Sequence, residues 1–274
     1  MADLRKGVGE WIEYLRPAAS SAEKYTWSGA DEDQYWEFLK RSVIRRQFEA
    51  LETILQMFDA KHGHFGVLLL RPAYEELIWT AYLAKHVDVA PELVRLLSVH
   101  EIVDSLDAQN DYVGPKAMAE LGFSQRYVKS FVARDRSHQT RIKEIGRTLK
   151  WPQRQSLLPS MAYLSRQVEY EREYKFLYHA TSRYVHFSVH ELGRRVWGRS
   201  GDVSIGSTSF SDYWAHFAMY WAFWLFIHTT VECHDVLGEV GGGPEKDKEM
   251  EEWLKALEPI PILTREELSA WPSP

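Results

Sequence analysis

The sequence predicts an all-α fold: a multi-helix bundle of about six or seven helices around a long apolar central helix, with a short C-terminal appendage. Three observations lead there. Apolar residues recur at helical spacing along nearly all of the 274 residues. Strand-like patterning is confined to one short stretch. A single run without formal charge, Tyr213 to Val231, offers a helix apolar on all sides, which is what the middle of a large helical protein requires. With 45% hydrophobic residues and 11 tryptophans, the chain has ample material for such a core.

The elements follow in order. Ser28, Asp31 and Asp33 are cap candidates for a long helix whose Trp36, Leu39, Val43, Leu51, Leu55 and Phe58 share one face. That helix ends near Lys61-His62-Gly63. In the next apolar stretch, Pro72 either opens a helix at its first turn or kinks a longer one. Pro91 stands at the first position of the following helix, Gly114-Pro115 breaks the chain, and Ser124 can cap a basic helix that ends at Trp151-Pro152. Residues 160–194 hold one or two further helices. Val196-Trp197 and Val203-Ser204-Ile205 flank a Gly-Arg-Ser-Gly-Asp segment, as a small hairpin or a long loop. The apolar helix, from about Ser211 to Leu237, gives way to a Gly241-Gly242-Gly243-Pro244 hinge. Beyond it lie a short charged helix, two Pro-Ile dipeptides and a capped turn at Thr264–Glu267. The expected organisation is a helical bundle domain over 1–240 and a hinge with a helical tail over 241–274.

The net charge of −6 argues against a generally basic nucleic-acid coat, but it conceals a basic block. Residues 124–199 carry 16 Lys/Arg against 6 Asp/Glu, net +10. The single cysteine, Cys233, excludes an intramolecular disulfide and a cysteine-rich zinc site, and is compatible with a reducing compartment. The N-terminus shows no secretory signal, so a cytoplasmic location is expected. The run at 213–231 is close to the ~20 residues a bilayer span needs. His216 and His228 inside it, aromatic residues throughout, and the flanking Asp212 and Glu232 favour a buried helix, so no membrane partner is expected.

Chemistry concentrates in the segment from Glu173 to Arg195. Read as one continuous helix, it places Tyr178, Thr181, Val185, Val189, Leu192 and Val196 on a packing stripe. Beside that stripe His179, Arg183, His186 and His190 share an edge, with Arg172 and Arg194 in line. Histidine can act as base and acid near neutral pH, and arginine can stabilise the charge that develops on a phosphorane. With an RNA 2′-hydroxyl as internal nucleophile, these groups make a metal-independent endoribonuclease, and the basic block would attract the phosphate backbone. The same edge reads equally as a solvated or interface face. His186 and His190 have the i,i+4 spacing of two zinc ligands, but the His-Glu-x-x-His order is absent, and no metal is expected. Tyr174, Tyr178, Tyr184 and Phe187 are open to base stacking or to core packing. His62-Gly-His64 falls at an expected loop and carries little weight. No Walker-type loop, dinucleotide fingerprint or nucleophile elbow is present, and no cofactor is expected.

Arg183-Tyr-Val-His-Phe-Ser-Val-His190 resembles the Arg/His motif of the HEPN superfamily, all-α bundles that include endoribonucleases of toxin–antitoxin and antiviral systems. Similar spacings occur at Arg95–His100 and Arg172–His179; the charged edge selects the third. The resemblance implies Arg183, His186 and His190 as catalytic residues, and a homodimer. Arg172, His179 and Arg194 would then hold phosphate or RNA. Over roughly residues 35–235 the chain is also similar to a bacterial all-helical family of unknown function, through Arg71-Pro72-x-x-Glu75 and Tyr178-x-x-x-Ser182-x-x-x-His186. That resemblance implies a buried polar cluster of Arg71, Glu75, Tyr178, Ser182 and His186 across two packed helices. The alternative to the nuclease is a non-catalytic scaffold or regulatory protein whose 245–274 tail, with Trp253, Leu254, Leu257 and Trp271, docks a protein partner.

Overall fold

The computed structural model describes residues 2–23, 25–26, 33–152, 156–199, 201–206, 210–237, 244–257 and 260–263. They form α1 (Ala2–Glu23), α2 (Asp33–Asp59), α3 (Val67–Ala84), α4 (Ala90–Glu120), α5 (Gln125–Thr148), α6 (Met161–Gln167), α7 (Glu171–Val185), α8 (Val189–Gly193), α9 (Ser211–Glu232) and α10 (Pro244–Ala256). Short 3-10 turns lie at Gly63–Gly66 and His234–Val236. Strands β1 (Val196–Arg199) and β2 (Asp202–Ile205) pair as a small antiparallel hairpin. The fold class is all-α. The count of six or seven helices is corrected to ten among the described residues, because α1 adds one and residues 160–194 contain three. The apolar helix is also shorter than expected: α9 has 22 residues against 27 in α2 and 31 in α4.

Local chemistry sets the boundaries. Ser124 caps α5, its hydroxyl accepting the Tyr127 N–H at 3.2 Å. Gly114 departs from helical geometry at φ 79°, so α4 is two helical pieces across a kink, with Pro115 opening the second. Pro72 sits inside α3, five residues after its first residue Val67, and not at its first turn. Asp33 opens α2; Ser28, Asp31, the 241–243 glycines, Pro259, the Thr264–Glu267 turn and Trp271 lie outside the described residues.

The described chain divides into two compact units. One comprises residues 1–25, 40–81 and 165–274, the other residues 26–39 and 82–164. The +10 block is therefore split, α5 falling in the second unit and α7–α8 in the first. In the first unit α9 buries Trp214, Phe217, Phe223 and Phe226, the last 5.5 Å from Phe48 on α2. The 3-10 turn at 63–66 packs closely on this helix. A Cβ at Gly63 would stand 2.7 Å from the Ala215 Cβ, and one at Gly66 would stand 3.0 Å from the Ala218 Cβ. The helix α10 also belongs to this unit. Trp253 sits over Gly7, where an added Cβ would come within 2.4 Å, and it meets Phe223 edge-on at 5.6 Å. Leu254 is buried and Trp253 half-buried within their own unit. Among the described residues no helix is long and apolar enough to cross a membrane.

Cys233 follows α9 fully buried, and burial pushes its thiol up to about 12. The native protein is expected to leave Cys233 unmodified by a disulfide-exchange reagent, with one equivalent reacting after denaturation. Prompt reaction of the folded protein would contradict this burial.

Candidate functional site

The predicted continuous helix over 173–195 does not form. The helix α7 stops at Val185, His186 adopts extended backbone (φ −114°, ψ 162°), and a new short helix starts at Val189. Ser188 starts it, its hydroxyl accepting the Glu191 N–H at 3.3 Å. The Ser-x-x-Glu pattern at 188–191 is a helix-start signature that competes with continuation. The break also dissolves the expected packing stripe. Of its members only Thr181 is buried, whereas Val189 and Leu192 are 73% and 52% exposed. The buried side of α7 is instead Leu177, Ala180 and Thr181.

The break turns the chain around a cavity of about 170 Å³. That is roughly ten times what a single ordered water requires. His64, Arg183, His186, Glu191, Arg194 and Arg195 all line it, and Trp214 of α9 contributes apolar wall. Their parts differ. Arg194 is buried: Nη1 donates to Glu191 Oε1 at 2.8 Å, Nη2 donates to the Ile262 carbonyl at 2.8 Å, and the guanidinium lies 4.7 Å from the Trp214 ring. Such an arginine positions the wall; its donors are engaged within the protein. Arg195 is exposed, and Arg183 is half-buried with Nη1 3.4 Å from His190 Nδ1.

His186 lies in the cavity wall and is exposed. Its Nε2 is 2.8 Å from Arg71 Nη1. Arginine can only donate, so in this arrangement Nε2 accepts and the ring carries its proton on Nδ1. Arg71 in turn donates from Nε to Glu75 Oε1 at 3.2 Å. The expected association of Arg71, Glu75 and His186 across helices is therefore present, but its burial is not. The Arg71 and Glu75 side chains are 29% and 37% exposed, because the buried side of α3 carries Leu70, Ala73, Tyr74, Leu77 and Ile78. Ser182 joins through its backbone carbonyl, which accepts the His186 N–H at 3.0 Å. Tyr178 is exposed beside Tyr174, their rings 5.7 Å apart. Arg172 and His179 are exposed on α7 and do not line the cavity.

The residue given too little weight from the sequence is His64. It is 6% exposed, lines the cavity, and neither Nδ1 nor Nε2 has a hydrogen-bond partner. Burial lowers its pKa below the ordinary imidazole value, with the charges of Arg195 and His62 adding to the effect. Burying an imidazole with neither nitrogen partnered is costly, which singles out His64 among the residues of this wall. The only available signal was the Gly-His-Phe-Gly run itself, whose glycines let the turn approach α9.

A family model matches residues 38–203. The chain belongs to DUF5677, a family of unknown function. The DUF5677 match takes in α3, the Arg71–Glu75–His186 contacts, Arg183 and His64; it ends before Trp214 and the rest of α9. No curated protein and no solved structure matches this DUF5677 chain.

Proposed function

We propose that this protein is a HEPN-like RNA-binding protein acting as a metal-independent endoribonuclease, with the cavity beside the α7–α8 break receiving the scissile phosphodiester. One observation carries the reading: an unpartnered, buried His64 shares a cavity with His186 and two arginines, Arg183 and Arg195, that are not salt-bridged to a carboxylate among the described residues. The arginines offer charge to phosphate oxygens, and the two imidazoles sit where a proton must be taken and returned. One imidazole removes the 2′-hydroxyl proton as that oxygen attacks phosphorus. The other protonates the departing 5′-oxygen, leaving a 2′,3′-cyclic phosphate and a 5′-hydroxyl. Arg183 stabilises the extra negative charge of the phosphorane. His190, held at Arg183, positions that guanidinium. A role in toxin or defence systems, and a homodimer, are parts of the same HEPN-like reading.

The test is cleavage of a short single-stranded RNA by untagged protein in the presence of chelator. His64→Ala, His186→Ala and Arg183→Ala are each expected to reduce the rate about 100-fold with the circular dichroism spectrum unchanged. A substrate with a 2′-deoxy sugar at the scissile position should resist cleavage. Rates unaffected by all three substitutions, or a wild type that neither binds nor cuts RNA, would sink the reading. The second reading, a non-catalytic scaffold, draws on exposed apolar side chains of α4, α5 and the turn between them, namely Ile102, Tyr112, Leu121 and Tyr127.

A further inference from the structure

The α4–α5 pair holds a second cluster, independent of the cavity above. The two helices run antiparallel, as three cross-contacts show. Arg141 pairs with Glu92, His100 with Asp135, and Gln125 with Asn110. On α4, His100 and Asp104 are i,i+4 neighbours; on α5, Asp135 and His138 are i,i+3 neighbours. The two helices thus bring His100, Asp104 and Asp135 together, with His138 beside Asp135.

Asp135 is the anchor. It is 2% exposed, and a carboxylate so buried needs compensation at both oxygens. Its Oδ2 meets His100 Nδ1 at 2.8 Å and accepts from Gln139 Nε2 at 2.7 Å. Its Oδ1 has no hydrogen-bond partner, and neither does the buried Nδ1 of His138, which faces it at 3.7 Å. On the other side of the imidazole, His100 Nε2 stands 3.5 Å from Asp104 Oδ2. Ligand atoms of His100, Asp104 and Asp135 all lie within 4.8 Å of one another. Two donors bound at ~2.1 Å to one ion stand roughly 3–4 Å apart. At its widest the three-residue set needs to contract by about 1–2 Å.

We propose that His100, Asp104 and Asp135 bind a divalent first-row transition ion of the zinc class. Mixed imidazole and carboxylate donors select such an ion over magnesium, which prefers an all-oxygen shell retaining water. The ion would satisfy the orphan Asp135 Oδ1 and tie α4 to α5. It has no part in the RNA chemistry proposed above.

The experiment uses untagged full-length protein, stripped by chelator and dialysed, then titrated calorimetrically with Zn²⁺ and followed by Co²⁺ visible absorption. One ion per chain and a higher melting temperature with Zn²⁺ are expected, with no response to Mg²⁺ at the same concentration. Asp104→Ala alters a largely exposed side chain and should keep the fold while weakening Zn²⁺ at least tenfold. His100→Ala and Asp135→Asn should abolish the tetrahedral Co²⁺ spectrum. Zn²⁺ binding by the wild type no tighter than by an Asp104→Ala/His100→Ala double variant would overturn the proposal and leave the cluster as ion pairs only. RNA cleavage is unaffected in Asp104→Ala, so failure here and failure of the nuclease reading are separately visible.

Discussion

Arg194→Ala is expected to lower the unfolding free energy by about 3–5 kcal/mol while changing RNA affinity, measured on folded protein, by less than about threefold. The Arg194 side chain is 7% exposed and its partner Glu191 13%. Removing the guanidinium takes away the 2.8 Å partner of the largely buried Glu191 carboxylate and leaves the Ile262 carbonyl without its 2.8 Å donor. It also removes the cation stacked 4.7 Å from Trp214, whose ring packs against Phe217 and Tyr184. Arg194→Lys should recover less than half of the loss, because an ammonium cannot serve a carboxylate and a carbonyl in two directions while stacking on indole. Denaturant unfolding and RNA titration of the same samples check both halves. A stability change below about 1 kcal/mol together with lost RNA binding would return Arg194 to the phosphate-ligand role expected from its helical spacing.

The second large effect is a loss of stability in acid through His228. Burial pushes its pKa down to about 4, with Glu251 opposing weakly. The ring lies 3.8 Å from Trp224, and Nδ1 is 3.4 Å from the Tyr170 hydroxyl, which donates to Glu232. The folded pKa is below the unfolded value of about 6.5, so between these values the unfolded chain binds the extra proton. The stabilising contribution is complete above pH ~6.5 and is lost as pH falls toward 4, about 3 kcal/mol over the window. The difference in unfolding free energy between wild type and His228→Gln should therefore shrink by that amount from pH 7.5 to pH 4. Parallel pH profiles for the two proteins would refute it.

Much of the helical framework was legible because it rests on local rules. The apolar residues of α2, the Ser124 cap and the Gly114-Pro115 break each depend on neighbours within a turn or two, and each appears where its chemistry places it. The hairpin at 196–205 was one of two open readings, since Gly-Arg-Ser-Gly-Asp suits either. The segment from 173 to 195 failed for an equally local reason. Ser188 and Glu191 form a helix start that interrupts the helical spacing after Val185, so the angular positions of residues beyond the break do not hold. The seat of Trp253 over Gly7 is a tertiary contact across most of the chain, which spacing along α10 does not record.

By itself, the sequence determined the all-α class and the burial of the α9 aromatic residues, and it offered Arg183, His186 and His190 as candidates. Periodicity, composition and residue type are properties of short segments, and they survive folding unchanged. Only the tertiary structure decided which of these groups meet. Arg71 reaches His186 across 115 positions, His64 enters the same cavity because two glycines let its turn settle on α9, and Arg194 turns inward to Glu191. Those meetings depend on how surfaces far apart in the chain fit together, and side-chain spacing along one helix holds no record of that fit.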